Sequence, residues 1–332
     1  MDKTEIMSPA DIMPVLASIE PVVARSSLVS LDLSRLDQAV AGWGDRPEAQ
    51  SGWQHPCHYF DDTEETVRWI FILDVLNHCF WPDSNEPVWN VSHRGILYSG
   101  YWGLAAALRK ALEQGIPLTR AEYLADISLS DVKTILSGIS GKLPLLEQRH
   151  ENLREAGRVL LADWRGDIVN LLRKTAGNAV LTVSTLASAF SGFRDEAFYE
   201  GLRVIFWKRA QIFVADLHAA FAGSRWGHFD DIDRLTAFAD YKLPQVLREM
   251  GILSYHPDLA SAIDSRKELL PGSREEVEIR AATIAAVEAL KGAFSRTGRR
   301  MTASQIDSWL WQLGQMDSFR SRPYHRCRTI YY

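Results

Sequence analysis

Apolar residues return every third or fourth position along most of this chain, the period of helices that bury one face. Over 63–81, Val67, Ile70, Phe71, Val75 and Leu76 share one side of a helical wheel, with Asp74 as the polar exception. Asp61 or Asp62, with Glu64 and Glu65, supplies the acidic start that a helix N-terminus favours, and the pattern predicts a helix running into Phe80 and stopping near Pro82. Residues 99–114 predict an Ala- and Leu-rich helix stopped by Gly115 and Pro117. Short helices follow over 119–125 and 128–137, begun by Thr119 and Ser128, and the pattern continues over 144–161 and 166–176. Residues 197–221 predict one long, largely buried helix carrying Lys208, Arg209 and Asp216 among apolar neighbours. Helices over 235–251, 257–263, 273–294 and 302–313 complete the series, with breaks at Gly251, His256-Pro257 and Pro271-Gly272. Only 85–98 has β character, where Val88-Trp89-Asn90-Val91 and Ile96-Leu97-Tyr98 flank Arg94-Gly95 as in a small hairpin. The expected fold is mainly α with minor β.

Composition narrows the function. With 332 residues, 46% hydrophobic and 24% charged, the chain is long enough for a well-packed core in one large domain or two intimate ones. Its 37 Lys+Arg against 42 Asp+Glu leave a net charge of −5, so no global field holds a polyanion, and duplex nucleic acid is not expected as a partner. Cys57, Cys79 and Cys327 form no C-x-x-C pair, which points away from a disulfide framework or cysteine-rich zinc site and towards a reducing cytoplasm. The first 26 residues are interrupted by acids and prolines, so neither a signal peptide nor a membrane span is expected. Eleven Trp and ten Tyr exceed what a plain bundle needs, and such rings stack on planar ligands as well as fill cores.

Phosphate-cradling glycine loops, nucleophile elbows and H-E-x-x-H are absent, which leaves carboxylates and aromatics in apolar contexts. Asp240 lies in Phe238-Ala239-Asp240-Tyr241-Lys242-Leu243-Pro244, just before a helix that Pro244 helps to open. It reads either as a capping acid or as a carboxylate at a cleft rim. Asp307 starts the run Asp307-Ser308-Trp309-Leu310-Trp311, and His55 and His58 precede the first long helix; a lone acid or histidine is more often a surface or satisfied core residue. Lys208-Arg209 inside an apolar helix requires an anion, from the protein or from a ligand phosphate. The basic end of the chain, 320–332, reads as a flexible tail or as a docked segment that brings His325 or Arg328 to a phosphate.

Taken in order, Leu76-Asn77-His78-Cys79-Phe80-Trp81, Tyr98-Ser99-Gly100-Tyr101-Trp102, Phe206-Trp207-Lys208-Arg209-Ala210-Gln211, Phe238-Ala239-Asp240-Tyr241, Glu276-Val277-Glu278-Ile279-Arg280 and the final His325-Arg326-Cys327-Arg328-Thr329-Ile330-Tyr331-Tyr332 resemble the queuosine salvage protein family, the queuosine 5′-phosphate N-glycosylases. The resemblance runs from about His58 to the last residue. It implies a hydrolase that cuts the N-glycosidic bond of queuosine 5′-monophosphate, releasing queuine and ribose 5-phosphate, without cofactor or metal. It also implies a helical fold similar to helix-hairpin-helix DNA glycosylases, with which Leu269-Leu270-Pro271-Gly272-Ser273 is compatible. Residues 1–50 are then an N-terminal helical segment packed on the main body, and 51–332 are the glycosylase-like domain.

The resemblance assigns roles. Asp240 becomes the catalytic carboxylate facing an oxocarbenium-like centre. Phe238 packs against the base with Tyr241 beside the acid, and Asp307 accepts hydrogen bonds from the guanine-like edge. Tyr101 and Trp102 belong to the aromatic base pocket. The family has a histidine before the Trp69 helix, for which His58 is preferred over His55. Near Asp307 the family pattern has a tyrosine next and a second acid five positions on; this chain has Ser308 and Gln312 there, and Gln312 can hydrogen-bond the base but cannot pair a charge. Lys208, His325 and Arg328 are physical candidates for the phosphate. The expected protein is a monomer acting on a small nucleotide. Its competing reading is a non-catalytic binding module for a modified nucleoside or nucleotide, and a DNA-repair activity is disfavoured by the net charge.

Overall fold

Capping residues and tertiary contacts set the helix boundaries in the computed structural model, which describes residues 13–43, 52–83 and 85–332 and is mainly α with small two-stranded sheets. Of the expected N-terminal segment, 1–12 and 44–50 lie outside the described residues. What is described there is α1 (Pro14–Arg25), β1 (Val29–Leu31) and α2 (Leu36–Trp43).

α3 (Glu64–Leu76) starts at Thr63, whose hydroxyl accepts the Glu65 amide (3.1 Å) while Asp61 holds Thr63 itself. It stops at Leu76, one turn short of the predicted Phe80. Two buried guanidiniums end it: Arg209 takes the carbonyls of Asp74 and Val75, and Arg149 those of Leu76, His78 and Cys79. With those carbonyls capped from outside, the chain leaves the helix and turns at Cys79, φ 44°.

β2 (Asn90–His93) and β3 (Ile96–Ser99) are the predicted hairpin, turning through Arg94 and Gly95 at positive φ. α4 (Gly100–Glu113), α5 (Ala121–Asp126), α6 (Leu129–Ile135), α7 (Leu146–Asp163) and α8 (Ile168–Thr175) follow the predicted series. Ser128 caps α6 reciprocally with Asp131, whereas the Thr119 hydroxyl donates to Glu65 of α3 instead of capping α5. α9 (Ala179–Ala189), capped by Asn178, fills a stretch where no element is predicted.

The single helix predicted over 197–221 is instead a hairpin and a shorter helix. β4 (Glu196–Tyr199) and β5 (Leu202–Ile205) turn through Glu200 and Gly201 at positive φ, and α10 (Lys208–Ala220) begins only after Trp207, φ 46°. The strand period is visible in the exposures of Ala197, Phe198 and Tyr199, which are 8%, 70% and 2%. Residues 235–241 are also non-helical. There the Gln211 amide of α10 bonds both the Thr236 amide (2.8 Å) and its hydroxyl, and α11 (Lys242–Glu249) starts late.

β6 (Leu253–Tyr255) pairs with β1, and α12 (Pro257–Asp264), β7 (Glu268–Leu269), α13 (Arg274–Arg296), α14 (Ala303–Leu313) and β8 (Arg326–Cys327) complete the chain. α13 is the central rod, packed against α1, α2, α11 and α14. The parallel pair β7–β8 docks the C-terminal segment, where Tyr332 is buried. Cys57, Cys79 and Cys327 are free and buried. Among the described residues no helix is long and apolar enough to cross a membrane.

Glu278 of α13 fastens the N-terminal pieces. It accepts the Ser26 hydroxyl, the Ser27 and Leu28 amides (3.1 and 2.8 Å), the Tyr199 hydroxyl (2.8 Å) and the Arg274 guanidinium (2.7 Å). Burial pushes its pKa up, but Arg274, Ser26, Leu28 and Tyr199 together outweigh that and hold it below the ordinary 4.5. A depressed carboxylate stabilises the fold above 4.5 and loses that contribution as pH falls through its folded value. Glu278→Gln is therefore expected to cost about 1–3 kcal/mol near neutral pH and to narrow its gap to the native protein as pH falls below about 4.5, measured by denaturant titration across that window. A gap that does not change with pH would show that the carboxylate charge is not what matters.

Candidate active site

Arg280 of α13, 2% exposed, organises this region. Its Nη1 and Nη2 donate to Asp195 (2.9 and 2.5 Å), Nη1 reaches Glu276 (3.3 Å), and Nε donates to the carbonyl of Ala239 (3.1 Å). Its faces lie over Phe206 and Tyr332, 3.9 and 4.4 Å from the ring centroids. Asp195 in turn accepts the Lys208 amide (3.3 Å) through its carboxylate and the Phe206 and Trp207 amides through its carbonyl. One guanidinium thus fixes both the start of α10 and the residue before Asp240.

Asp240 is 8% exposed, and its Oδ1 accepts the amides of Lys242 and Leu243 (2.7 and 3.0 Å) at the start of α11. Among the described residues no hydrogen bond reaches Oδ2. The capping geometry therefore uses one oxygen and leaves the other. From α14, Asp307 (6% exposed) accepts the Phe238 amide through Oδ2 (2.7 Å), so the segment 238–240 is held from two sides. Burial, then the charge of Asp240, pushes the Asp307 carboxyl well above the usual range, against the pull of the Phe238 amide and Lys208.

Lys208, 6% exposed, makes no ion pair or side-chain hydrogen bond among the described residues. Burial lowers its pKa, and Asp240 and Asp307 oppose that. Two further acids face it from behind. Asp74 of α3 is fully buried and pushed well up by burial and by its neighbour Asp216; Asp216 of α10 is also raised by burial, with Lys208 opposing. The two titrate as a pair. Asp74 Oδ2 and both ring nitrogens of buried His78 have no partner among the described residues. Burial, with Arg149, Arg209 and Lys208 nearby, keeps that imidazole neutral. Buried polar atoms without internal partners thus gather around Lys208, the kind of group that a ligand's hydroxyl and N–H groups would satisfy. Among the described residues no cluster of His, Cys, Asp and Glu is arranged to hold a metal ion.

An aromatic wall stands beside these groups. His58, 8% exposed, stacks on Trp53 (centroids 4.0 Å), and His55 stacks on Trp102 (3.7 Å). Tyr101 and Trp102 turn their edges to Trp311, at 6.3 and 6.2 Å. Trp311 lies one helical turn beyond Asp307 and so on the same face of α14. Ser308 is half-buried and Gln312 exposed on that helix.

The structure thus gathers Lys208, Phe238, Asp240 and Asp307 by direct contacts or charge, and His58, Tyr101 and Trp102 by ring contacts. Tyr241 is buried but turns its ring to Tyr324 (4.8 Å), within a second core with Cys79, Trp81, Cys327 and Tyr332. His325 is buried beside Tyr332 and Arg280, its pKa pushed down to about 3 by burial and then by Arg280. Arg328 lies over Trp81 (4.4 Å) and pairs with Asp83 and Glu268. None of the contacts of His325 or Arg328 is with Lys208 or Asp240. Arg280, Asp195, Asp74, His78 and Trp311 were not singled out from the sequence as site residues. Asp74 carries a signal, as an acid interrupting an apolar stripe; the role of Arg280 depends on partners 41 and 85 residues away.

The model of the queuosine salvage protein family matches residues 57–332. A protein of Sphaerobacter thermophilus named queuosine 5′-phosphate N-glycosylase/hydrolase is 44% identical over 324 residues, covering 98% of this chain and 99% of that one. Proteins of the same name from Bos taurus and Schizosaccharomyces pombe are each 36% identical, covering 85% and 84% of this chain and 86% and 87% of their own. The likeness spans the segments that carry Lys208, Asp240, Arg280 and Asp307, and on it this chain belongs to the queuosine salvage protein family.

Proposed function

We propose that this protein hydrolyses the N-glycosidic bond of queuosine 5′-phosphate, releasing queuine for reuse in tRNA together with ribose 5-phosphate. The observation that carries the reading is Asp240, a nearly buried carboxylate with one oxygen tied to two amides and the other without a partner among the described residues, in a chain 44% identical to a glycosylase of that name. As the C1′–N bond breaks, its electrons leave with the base and positive charge spreads over C1′ and the ring oxygen. A fixed carboxylate facing that charge stabilises the transition state without having to reorganise. Water then supplies the hydroxyl at C1′ and the proton that the base takes up. Asp307, its Oδ2 held by Phe238, presents Oδ1 to the N–H donors of the guanine-like edge. Phe238 and the wall of Tyr101, Trp102 and Trp311 enclose the ring, and Ser308 and Gln312 extend the face that carries Asp307.

Lys208 is the candidate for the 5′-phosphate, since it is nearly buried and makes no ion pair or side-chain hydrogen bond among the described residues. The reading includes a monomer acting on free nucleotide in the cytoplasm. The connection from α12 to α13 through Pro271 and Gly272 is in keeping with a helix-hairpin-helix relationship.

Incubation with queuosine 5′-phosphate in the absence of added metal is expected to release queuine, followed by chromatography. Asp240→Asn keeps an oxygen for the Lys242 and Leu243 amides, so the variant is expected to fold, to bind within about tenfold of the native affinity and to lose roughly two to four powers of ten in turnover. A folded native protein that binds the nucleotide but releases nothing would favour the binding-module reading. Lys208→Ala is expected to lose more on the 5′-phosphate than on the nucleoside when kcat/KM is compared; an equal loss on both would remove Lys208 from the phosphate subsite.

A further inference from the structure

The environment of His58 determines which of its nitrogens carries the proton. Nδ1 lies 3.1 Å from the carbonyl oxygen of Trp53, which can only accept, so Nδ1 is the donor. Nε2 lies 2.8 Å from the Tyr101 hydroxyl. In a neutral ring with its proton on Nδ1, Nε2 is an acceptor, and the phenolic O–H of Tyr101 must donate to it. Burial holds the ring neutral by lowering its pKa to about 4. Stacking on Trp53 at 4.0 Å, with Trp69 and Trp102 at 5.6 and 5.1 Å, keeps the ring from turning about its Cβ–Cγ bond, so both nitrogens stay on these partners.

Tyr101 is therefore committed. Its one proton points at His58, and its oxygen offers only lone pairs to a ligand beside the Tyr101–Trp311 pair. Tyr101 is half-buried, and burial, then the charges of Asp216 and Asp74, pushes the pKa of its phenol further up, so it stays protonated.

We propose that His58 is a positioning residue that acts through Tyr101: by accepting the Tyr101 O–H hydrogen bond, it leaves the phenol oxygen as a pure hydrogen-bond acceptor that selects a ligand O–H or N–H donor. This rests on the proposed glycosylase reading for the identity of the ligand, and it replaces direct substrate contact by His58 with contact by Tyr101. The donor is either a ribose hydroxyl or an N–H of the base. A site built as an acceptor discriminates against a ligand that brings a second acceptor, because two lone pairs are then left facing each other without a proton.

The tautomer is testable without turnover. Long-range ¹H–¹⁵N spectra of histidine-labelled protein at neutral pH are expected to show His58 with Nδ1 protonated and Nε2 bare; a protonated Nε2 overturns the proposal. The coupling is tested by affinity, with queuine and ribose 5-phosphate titrated separately. Tyr101→Phe is expected to weaken one of the two by about tenfold, and the product affected identifies the donor. His58→Leu is expected to match that loss, His58→Gln to recover most of it because its amide oxygen can still accept the phenolic proton, and the double variant Tyr101→Phe with His58→Leu to be no worse than Tyr101→Phe alone. Additive losses, or a Tyr101→Phe protein that binds both products normally, overturn the proposal. A native protein that releases no queuine would sink the glycosylase reading and leave the His58–Tyr101 order standing if Nε2 is bare, whereas a protonated Nε2 or additive losses would overturn the role of His58 alone.

Discussion

The Arg280 guanidinium is the constraint on which the rest of this structure depends. A cation at 2% exposure is tolerated only when its charge is matched and its N–H groups are engaged, and here Asp195, Glu276 and the Ala239 carbonyl do so. Because those partners belong to different segments, satisfying one buried charge fixes the relative positions of α13, the start of α10 and the approach to α11. Lys208 and Asp240 inherit their placement from that arrangement rather than from their own helices. The same logic recurs at the end of α3, where Arg149 and Arg209 occupy the terminal carbonyls and direct the chain towards the segment that carries His78 and Cys79.

What these constraints bring together is a set of polar groups that are not satisfied by one another. Folding places Asp74, His78, Lys208 and the outer oxygens of Asp240 and Asp307 in a poorly hydrated region, at a cost that a merely structural core would avoid by using apolar residues. Next to them stands an aromatic wall from α4 and α14. Planar ring on one side and hydroxyl-rich sugar on the other is the division that a nucleotide presents, and the Sphaerobacter thermophilus relative is named for a nucleotide substrate.

Much of this was legible in the sequence where the cause is local. The acidic start of α3, the Ser128 cap of α6 and the Arg94-Gly95 turn act over a few residues, and those elements begin or turn where the pattern puts them. The failures share a different cause. α3 ends early because of arginines 73 and 135 residues away, and 235–241 stays out of the helix where Gln211 of another helix takes the hydrogen bonds of Thr236. Residues 196–205 carry enough apolar positions to satisfy a helical wheel, and only the alternation across Ala197, Phe198 and Tyr199 marks the strand. At the site, Lys208, Asp240 and Asp307 stood out as charges in apolar surroundings. The network that aims them did not, since no short motif encodes a contact between Arg280 and Asp195.

The most direct test of this account is a crystal structure of the Asp240→Asn protein with queuosine 5′-phosphate bound. The account predicts the anomeric carbon about 3–4 Å from the residue 240 side chain, with the guanine-like edge on Asp307 and the ring against the Tyr101, Trp102 and Trp311 wall. A nucleotide bound with its anomeric carbon away from residue 240, for example in the surface groove lined by Arg173, Trp226 and His228, would contradict it.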